Sequence, residues 1–321
     1  MSDSSQRLTA PRRRSKARKT LLSVLRCWQV YVMLLPALIY IILFAYKPMY
    51  GVLIAFKTYK MKLGIMGSPW CGLDNFYRLF NSYWFPITVR NTLTLSLLSL
   101  VLGFPLPIIL ALLLNTVRSK KYRSFVENVT YMPYFISTVV IVGILTQVFN
   151  TRVGLFAMAY RALTGSPDVP DLLASASAFP HMYVWSGIWQ STGWGTVIYM
   201  AALSGVDPEQ HEAAVIDGAS RWQRLLHVDL PAIVPTITIT LILRCGSLMG
   251  IGFDKVYLMQ NDLNLRASEV IATYVYKVGL AAGGGDFSYA TAIGLFNSVI
   301  NLILLATVNA ISRKVSDTSL W

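Results

Sequence analysis

The chain has 321 residues, of which 55% are hydrophobic and 13% charged, with a mean hydropathy of +0.52; an ordinary soluble domain carries about 25% charge, so a soluble enzyme or binding domain is excluded. The net charge of +13 does not point to nucleic acid, because eight of the 28 basic residues, from Arg7 to Arg26, precede the first apolar run, where such a cluster stays beside anionic lipid. Cys27, Cys71 and Cys245 are too few and too scattered for a disulfide framework or a metal-ligand spacing.

In chain order, a basic tail over 1–27 leads into Trp28 to Tyr46, which carries no charge until Lys47 and has no small-residue cleavage site after it. That pattern predicts an uncleaved first span, not a removed signal. Further uncharged runs, each treated as a helix because backbone groups in lipid must be paired locally, cover Thr92 to Leu114, Val129 to Phe149, Met182 to Leu203 and Tyr289 to Ile311. One more, Leu230 to Gly252, is interrupted only by Arg244. Gly103, Pro105 and Pro107 predict a kink in the second span. The expectation is an all-α polytopic membrane protein with six transmembrane helices over 28–314 and a short tail over 315–321. The excess of Lys and Arg on the inner segments puts both termini in the cytosol, although Lys47, Lys57, Lys60 and Lys62 on the first outer loop run against it.

On that topology the loop 204–229 is cytosolic, yet Asp207, Glu209, Glu212, Asp217 and Asp229 outnumber Arg221 and Arg224 in it. Something other than lipid is its neighbour. In "SGVDPEQHEAAVIDGAS", Asp207 is placed to cap a helix, with Pro208 at the first helical position and Gln210 three residues after the cap. Gly218 ends that helix, and Ser220 with Gln223 repeats the cap signature for a second, short one. Ala213 and Ala214 allow close approach, and Trp222, Leu225 and Leu226 are expected on the second helix's outer face. The product is a compact knob suited to a pocket on a partner.

Glu212-Ala213-Ala214, then Gly218, Val228, Leu230 and Pro231 resemble the EAA loop of ABC importer permeases, with Val228 in place of the commoner isoleucine. "GLDNFYRLF", "RNTL", "FDKVYLMQ" and "DFSYATAIGLFNSVINLILL" are similar to the carbohydrate-uptake, maltose-type family, within its polysaccharide and oligosaccharide branch, some of whose members handle alginate or aldouronate. The resemblance implies a type I ABC importer permease fold in the bacterial inner membrane. It further implies a second permease as hetero-dimer partner, two cytosolic ATPase subunits, an extracytoplasmic solute-binding protein and a saccharide cargo. Glu212, Ala213, Ala214, Gly218, Trp222, Leu230 and Pro231 would then form the ATPase-coupling element. ATP and Mg would be bound by the partner ATPase, with no cofactor in this chain.

Two partial motifs fail. Gly51 to Thr58 has Phe56 where a phosphate loop needs its second glycine, and "HEAAV" has Val215 where a zinc-protease helix needs its second histidine. For the substrate pathway, Arg244 lies about 21 Å along its helix from Leu230 in a core about 30 Å thick, toward the outer side. It would meet a sugar hydroxyl or carboxylate, or else pair with helix carbonyls or Asp254, or reach to the interface. Trp185 and Trp189 share a helix face, as do Gln190 and Trp194, suiting either sugar stacking or an interface belt. Asn297 and Asn301 repeat that spacing, for sugar contact or interhelical bonding. "ASEVIATYVYKVGL" predicts an amphipathic outer helix capped by Ser268, lying on the membrane or capping the bundle. The rival class, an ion-coupled secondary transporter, would want a coupling acid within the spans and an inverted repeat, and neither is evident.

Overall fold

The computed structural model describes residues 28–281 and 285–315. The tail predicted over 1–27 and, but for the backbone of Val315, that over 315–321 lie outside the described residues, as do Cys27 and Gly283 to Gly284. Two compact units divide at Leu53 and Ile54. In the first, α1 (Trp28–Ile41) continues through a π-helical turn, Ile42–Tyr46, and the helical run extends to Phe56.

The second unit begins at Ile54, and its long helices follow apolarity closely. α2 (Asp74–Phe80) precedes α3 (Trp84–Gly103) and α4 (Pro105–Thr116), which together form one run of 33 residues. This is longer than the predicted Thr92 to Leu114, and the interruption falls at the predicted Gly103 and Pro105. Here proline withholds an amide from the helical ladder. α11 (Leu230–Gly246) ends at a glycine, six residues before the predicted Gly252, and α15 (Phe287–Val315) is the last long helix.

The third predicted span is not one helix. α5 (Lys120–Tyr131) passes into a 3-10 turn at Met132–Phe135, and α6 (Thr138–Val148) leaves at 97°. Pro133 cannot continue the ladder, and Ser137 caps α6 by accepting from the Val140 amide at 3.4 Å. With 11 residues, α6 rises only about 16 Å, half of a hydrocarbon core.

Among the described residues four helical runs are long and apolar enough to cross a membrane, five if the bent pair counts as one. The remaining predicted span lies in α8 (Phe179–Ser204), whose 26 residues give about 39 Å, ample length. Its sequence is more polar, with Ser186, Gln190, Ser191, Thr192 and Thr196 along it. That polarity is tolerated because α8 is packed by α3, α4, α5 and α11. Its Tyr199, Met200 and Leu203 join Ile108, Leu112 and Ile233 in one buried core.

Three further helices follow α11 in chain order: α12 (Phe253–Met259), α13 (Leu265–Ser268) and α14 (Ile271–Tyr276). Of the two placements open to the amphipathic segment, lying on the membrane or capping the bundle, the structure has it packed into the protein, with Val270, Ile271 and Thr273 buried. Ser268 does not cap it: its hydroxyl donates to Asn264 Oδ1 at 2.8 Å, and Thr273 Oγ1 accepts from the Val270 amide at 3.0 Å.

The tightest packing in α8 is at Gly193, where a Cβ would stand 2.0 Å from the Thr130 carbonyl oxygen. Gly193→Ala therefore forces α8 away from the end of α5. The expected cost is about 1–3 kcal/mol, the usual penalty of overpacking, read as a lower thermal midpoint of the detergent-solubilised protein.

Candidate functional site

Two places collect the residues singled out by sequence, and the first is the loop after α8. α9 (Pro208–Ile216) is capped by Asp207, whose Oδ1 accepts from the Glu209 amide at 3.0 Å, with Pro208 in the first turn. The reciprocal bond expected of Gln210 is replaced by its amide donating to the Asp207 carbonyl at 3.2 Å. Gly218 adopts φ = 76°, the left-handed conformation in which a Cβ meets the backbone. The chain thereby reverses into α10 (Arg221–Arg224), where Ser220 and Gln223 exchange hydrogen bonds of 3.3 and 2.7 Å.

The knob is greasy on the outside. Ile216 is 86% exposed and Trp222 64%, with Val215 and Leu226 exposed beside them. Ala213 is also exposed and Ala214 half-buried, while Glu212 is exposed and has no polar partner among the described residues. Leu225, predicted on the outer face, is buried against α4 and α8, because the chain winds as a π-helical turn over Leu225–Asp229. Leu230 packs on the same core, and Pro231 lies exposed in the first turn of α11.

The second place is a cavity of about 290 Å³ among α3, α8, the end of α11 and α12. Its polar lining comprises Ser96, Ser99, Tyr183, Gln190, Ser191, Arg244, Ser247 and Lys255. Gln190 donates to the Ile136 carbonyl at 3.0 Å, tying α8 to the break between α5 and α6. The Arg244 guanidinium is exposed and has no ion pair or hydrogen bond among the described residues, so it pairs with neither Asp254 nor helix carbonyls, which leaves sugar contact or reach to the interface. The other residues weighed for a pathway lie elsewhere. Trp185 and Trp189 are exposed outside the cavity lining, and Trp194 stacks on Tyr134 at 4.8 Å between centroids. Asn301 accepts from the Met249 amide at 3.0 Å, while Asn297 keeps a buried Oδ1 without a partner.

Lys255 was missed by a search of the apolar runs, since it falls between two of them. It is 9% exposed, donates to the Tyr183 carbonyl at 3.0 Å and lies 5.0 Å from the Tyr183 ring centroid. Burial holds its amine down to about 8. The available signal was a lysine flanked by Phe253, Val256 and Tyr257 at helical spacing, which predicts a cation drawn into an apolar core. Two cations, one amide and five hydroxyls around one void can bind a hydroxylated, anionic molecule.

A polytopic helical bundle with a polar cavity and an apolar knob on one loop defines a membrane permease. Residues 103–317 match the model of the binding-protein-dependent transport system inner membrane component, and the chain belongs to that family, the membrane-spanning permeases of ABC importers. It is 44% identical to protein LplB of Bacillus subtilis (strain 168) over 91% of each chain. It is also 38% identical to the polygalacturonan/rhamnogalacturonan transport system permease protein YteP of the same organism, over 96% of this chain and 95% of that one. Among solved structures it is similar to a bacterial ABC transporter involved in import of the acidic polysaccharide alginate. That match has a TM-score of 0.84 and 37% identity, covering 93% of this chain and 99% of the other. A bacterial alginate ABC transporter in complex with an alginate pentasaccharide-bound periplasmic protein matches with the same TM-score and identity, covering 93% of this chain and 98% of that one. The fold is thus the type I importer permease fold.

Gly218→Ala strains the bend by about 1 kcal/mol, because the left-handed conformation is disfavoured for any residue with a Cβ. Hydrogen exchange should quicken in α9 and α10 and stay unchanged in α8.

Proposed function

We infer that this chain, with a second permease, forms the inner-membrane pathway for an acidic oligosaccharide, and that ATPase subunits drive it through the loop Glu212 to Pro231. The observation that carries the coupling reading is the knob itself: four exposed apolar side chains on a capped, bent helix pair are costly in water and suited to a cleft. Glu212, unpaired at its side, would meet a basic residue of the ATPase. Ala213 and Ala214 let α9 sit close, Gly218 supplies the bend, Trp222 anchors, and Leu230 with Pro231 fixes the entry to α11. Both ATPases, with their ATP and Mg, would lie on the cytosolic side with the two termini of this chain. An extracytoplasmic binding protein would deliver the cargo from the other side. This chain itself would hold no cofactor and hydrolyse nothing.

For the cargo, support comes from the cations of the cavity and from the names of similar proteins, which concern polygalacturonan, rhamnogalacturonan and alginate. Arg244 offers a bidentate fork to a uronate carboxylate, Lys255 a second charge, and Gln190 with the serines bonds to hydroxyls. Trp185, Trp189, Trp194 and Asn297 belong to the pathway only in another state of the cycle, since they do not line this cavity.

The docking is tested by co-purification. Trp222→Ala should cost about 2 kcal/mol, as central tryptophan anchors do, and so strip the ATPases from the assembly, while leaving the permease pair folded; full retention would end the coupling reading.

The cargo is tested by pH and charge together. Lys255 is charged below about 8 and neutral above it, so uptake of an acidic oligosaccharide relative to a neutral one should fall as pH rises through about 8. Lys255→Arg should flatten that profile, and Arg244→Gln should lower the acidic-to-neutral ratio at every pH. A ratio indifferent to both substitutions removes the acidic cargo.

A further inference from the structure

Asp229 stands immediately before α11, where a carboxylate ordinarily caps the first-turn amides. It does not do so: its backbone is helical and its side chain makes no capping bond. Instead Oδ1 turns inward, accepts from Asn115 Nδ2 at 3.1 Å and lies 3.2 Å from His211 Nε2. Asp229 is 3% exposed. Arg224 lies near enough to act on its charge and has its own Nε buried without a partner, and Arg118 and Arg221 line the same recess. The groups around the carboxylate thus come from α4, the link after it, α9 and α10.

A buried carboxylate is costly unless several donors satisfy it, so these elements are held together or the node is lost. The π-helical turn Leu225–Asp229 is what aims it. Its end residues, four apart, share the buried side, Leu225 in the core with Leu112 and Tyr199, and Asp229 toward Asn115. Without this node α9 would hang between Gly205 and Gly218, two glycine-containing turns that resist bending poorly.

We propose that Asp229 is a positioning residue of the transport cycle: through His211 and Asn115 it pins the coupling helix α9 to the inner ends of α4 and α11, so that a displacement of α9 moves both. This rests on α9 and α10 being the seat of the ATPase. The pin differs from the seat in its consequences. Cutting it leaves the outer face of the knob, and so the docking, intact, and removes only the transmission of movement.

The test uses the complete importer, with both permeases, the ATPases and the binding protein, in proteoliposomes, reading saccharide imported per ATP hydrolysed and ATPase retained on purification. His211→Leu and Asp229→Ala should retain the ATPases at the unsubstituted level while import per ATP falls about tenfold, within the range of ordinary coupling energies. His211→Gln, which keeps a donor toward the carboxylate, should restore most of it. Asp229→Ala also risks misfolding, whereas His211, at 29% side-chain exposure, can be changed without opening the core. An unchanged ratio in His211→Leu overturns the pin, as does a loss of ATPase in step with import. Failure of the seat itself is recognised separately, by ATPases that stay bound to Trp222→Ala.

Discussion

A peptide group in hydrocarbon has no water to turn to, and a polar side chain there has only its own helix or a neighbour. α8 meets that constraint along its whole length. Its hydroxyls bond back to carbonyls one turn earlier, Ser191 to Gly187 at 2.8 Å and Thr192 to Ile188 at 2.6 Å. Its small residues let neighbours close around it: Gly193 under Thr130, and Gly195 with room for only 3.0 Å to Pro107 Cγ. A helix that must be wrapped by protein becomes the axis of the bundle, and α3, α4, α5 and α11 take their places around it.

The polar cavity follows from the same helix. Where α3 and the end of α11 diverge from α8, Gly103, Gly187 and the Gly250–Gly252 turn leave room, and serines line what bulky side chains would otherwise fill. Lys255 enters that room over Gly187, where a Cβ would stand 3.3 Å from Nζ. A cation buried so far needs a carbonyl and a ring face, and Tyr183 supplies both. The Arg244 guanidinium, by contrast, is left without a protein partner among the described residues.

Much of this was legible in the sequence. The caps of Asp207 and Ser220, the bend at Gly218 and the interruption at Pro105 are local events governed by a few adjacent residues, and the structure has each where the pattern put it. Failures came where two segments distant in sequence decide the outcome. Pro133 sits inside an apolar run whose hydropathy alone reads as a span, and only the cap at Ser137 hints at a second helix starting anew. Leu225 has the spacing of an exposed residue on an α-turn, but a π-turn rotates it inward against Leu112 and Tyr199. The segment around Val270 has an amphipathic rhythm whose polar members, Glu269 and Thr273, are satisfied by each other and by Lys277 inside the protein instead of by solvent. Lys255 escaped because charge between spans is normally solvated, and its burial depends on Tyr183, some seventy residues earlier.

One helix joins the two sites. α11 begins beside Asp229 and carries Arg244 two residues before its end. Its 17 residues span about 25 Å, and a packed helix of that length moves as a body or bends at a defined point. The only interior interruption of this helix is Pro235, which removes one rung of the ladder near its N-terminal end. A displacement of the loop before α11 therefore either tilts the whole helix or is absorbed at Pro235. In the first case Arg244 swings relative to Lys255, whose own position is fixed by α8, and the separation of the two cations changes without either side chain having to rearrange. Buried Ile233, before Pro235, and Ile242, after it, anchor both halves in the core, which favours tilt over local bending. On the proposed reading, then, the device that receives force and the residues that would hold an anionic sugar are opposite ends of a single lever.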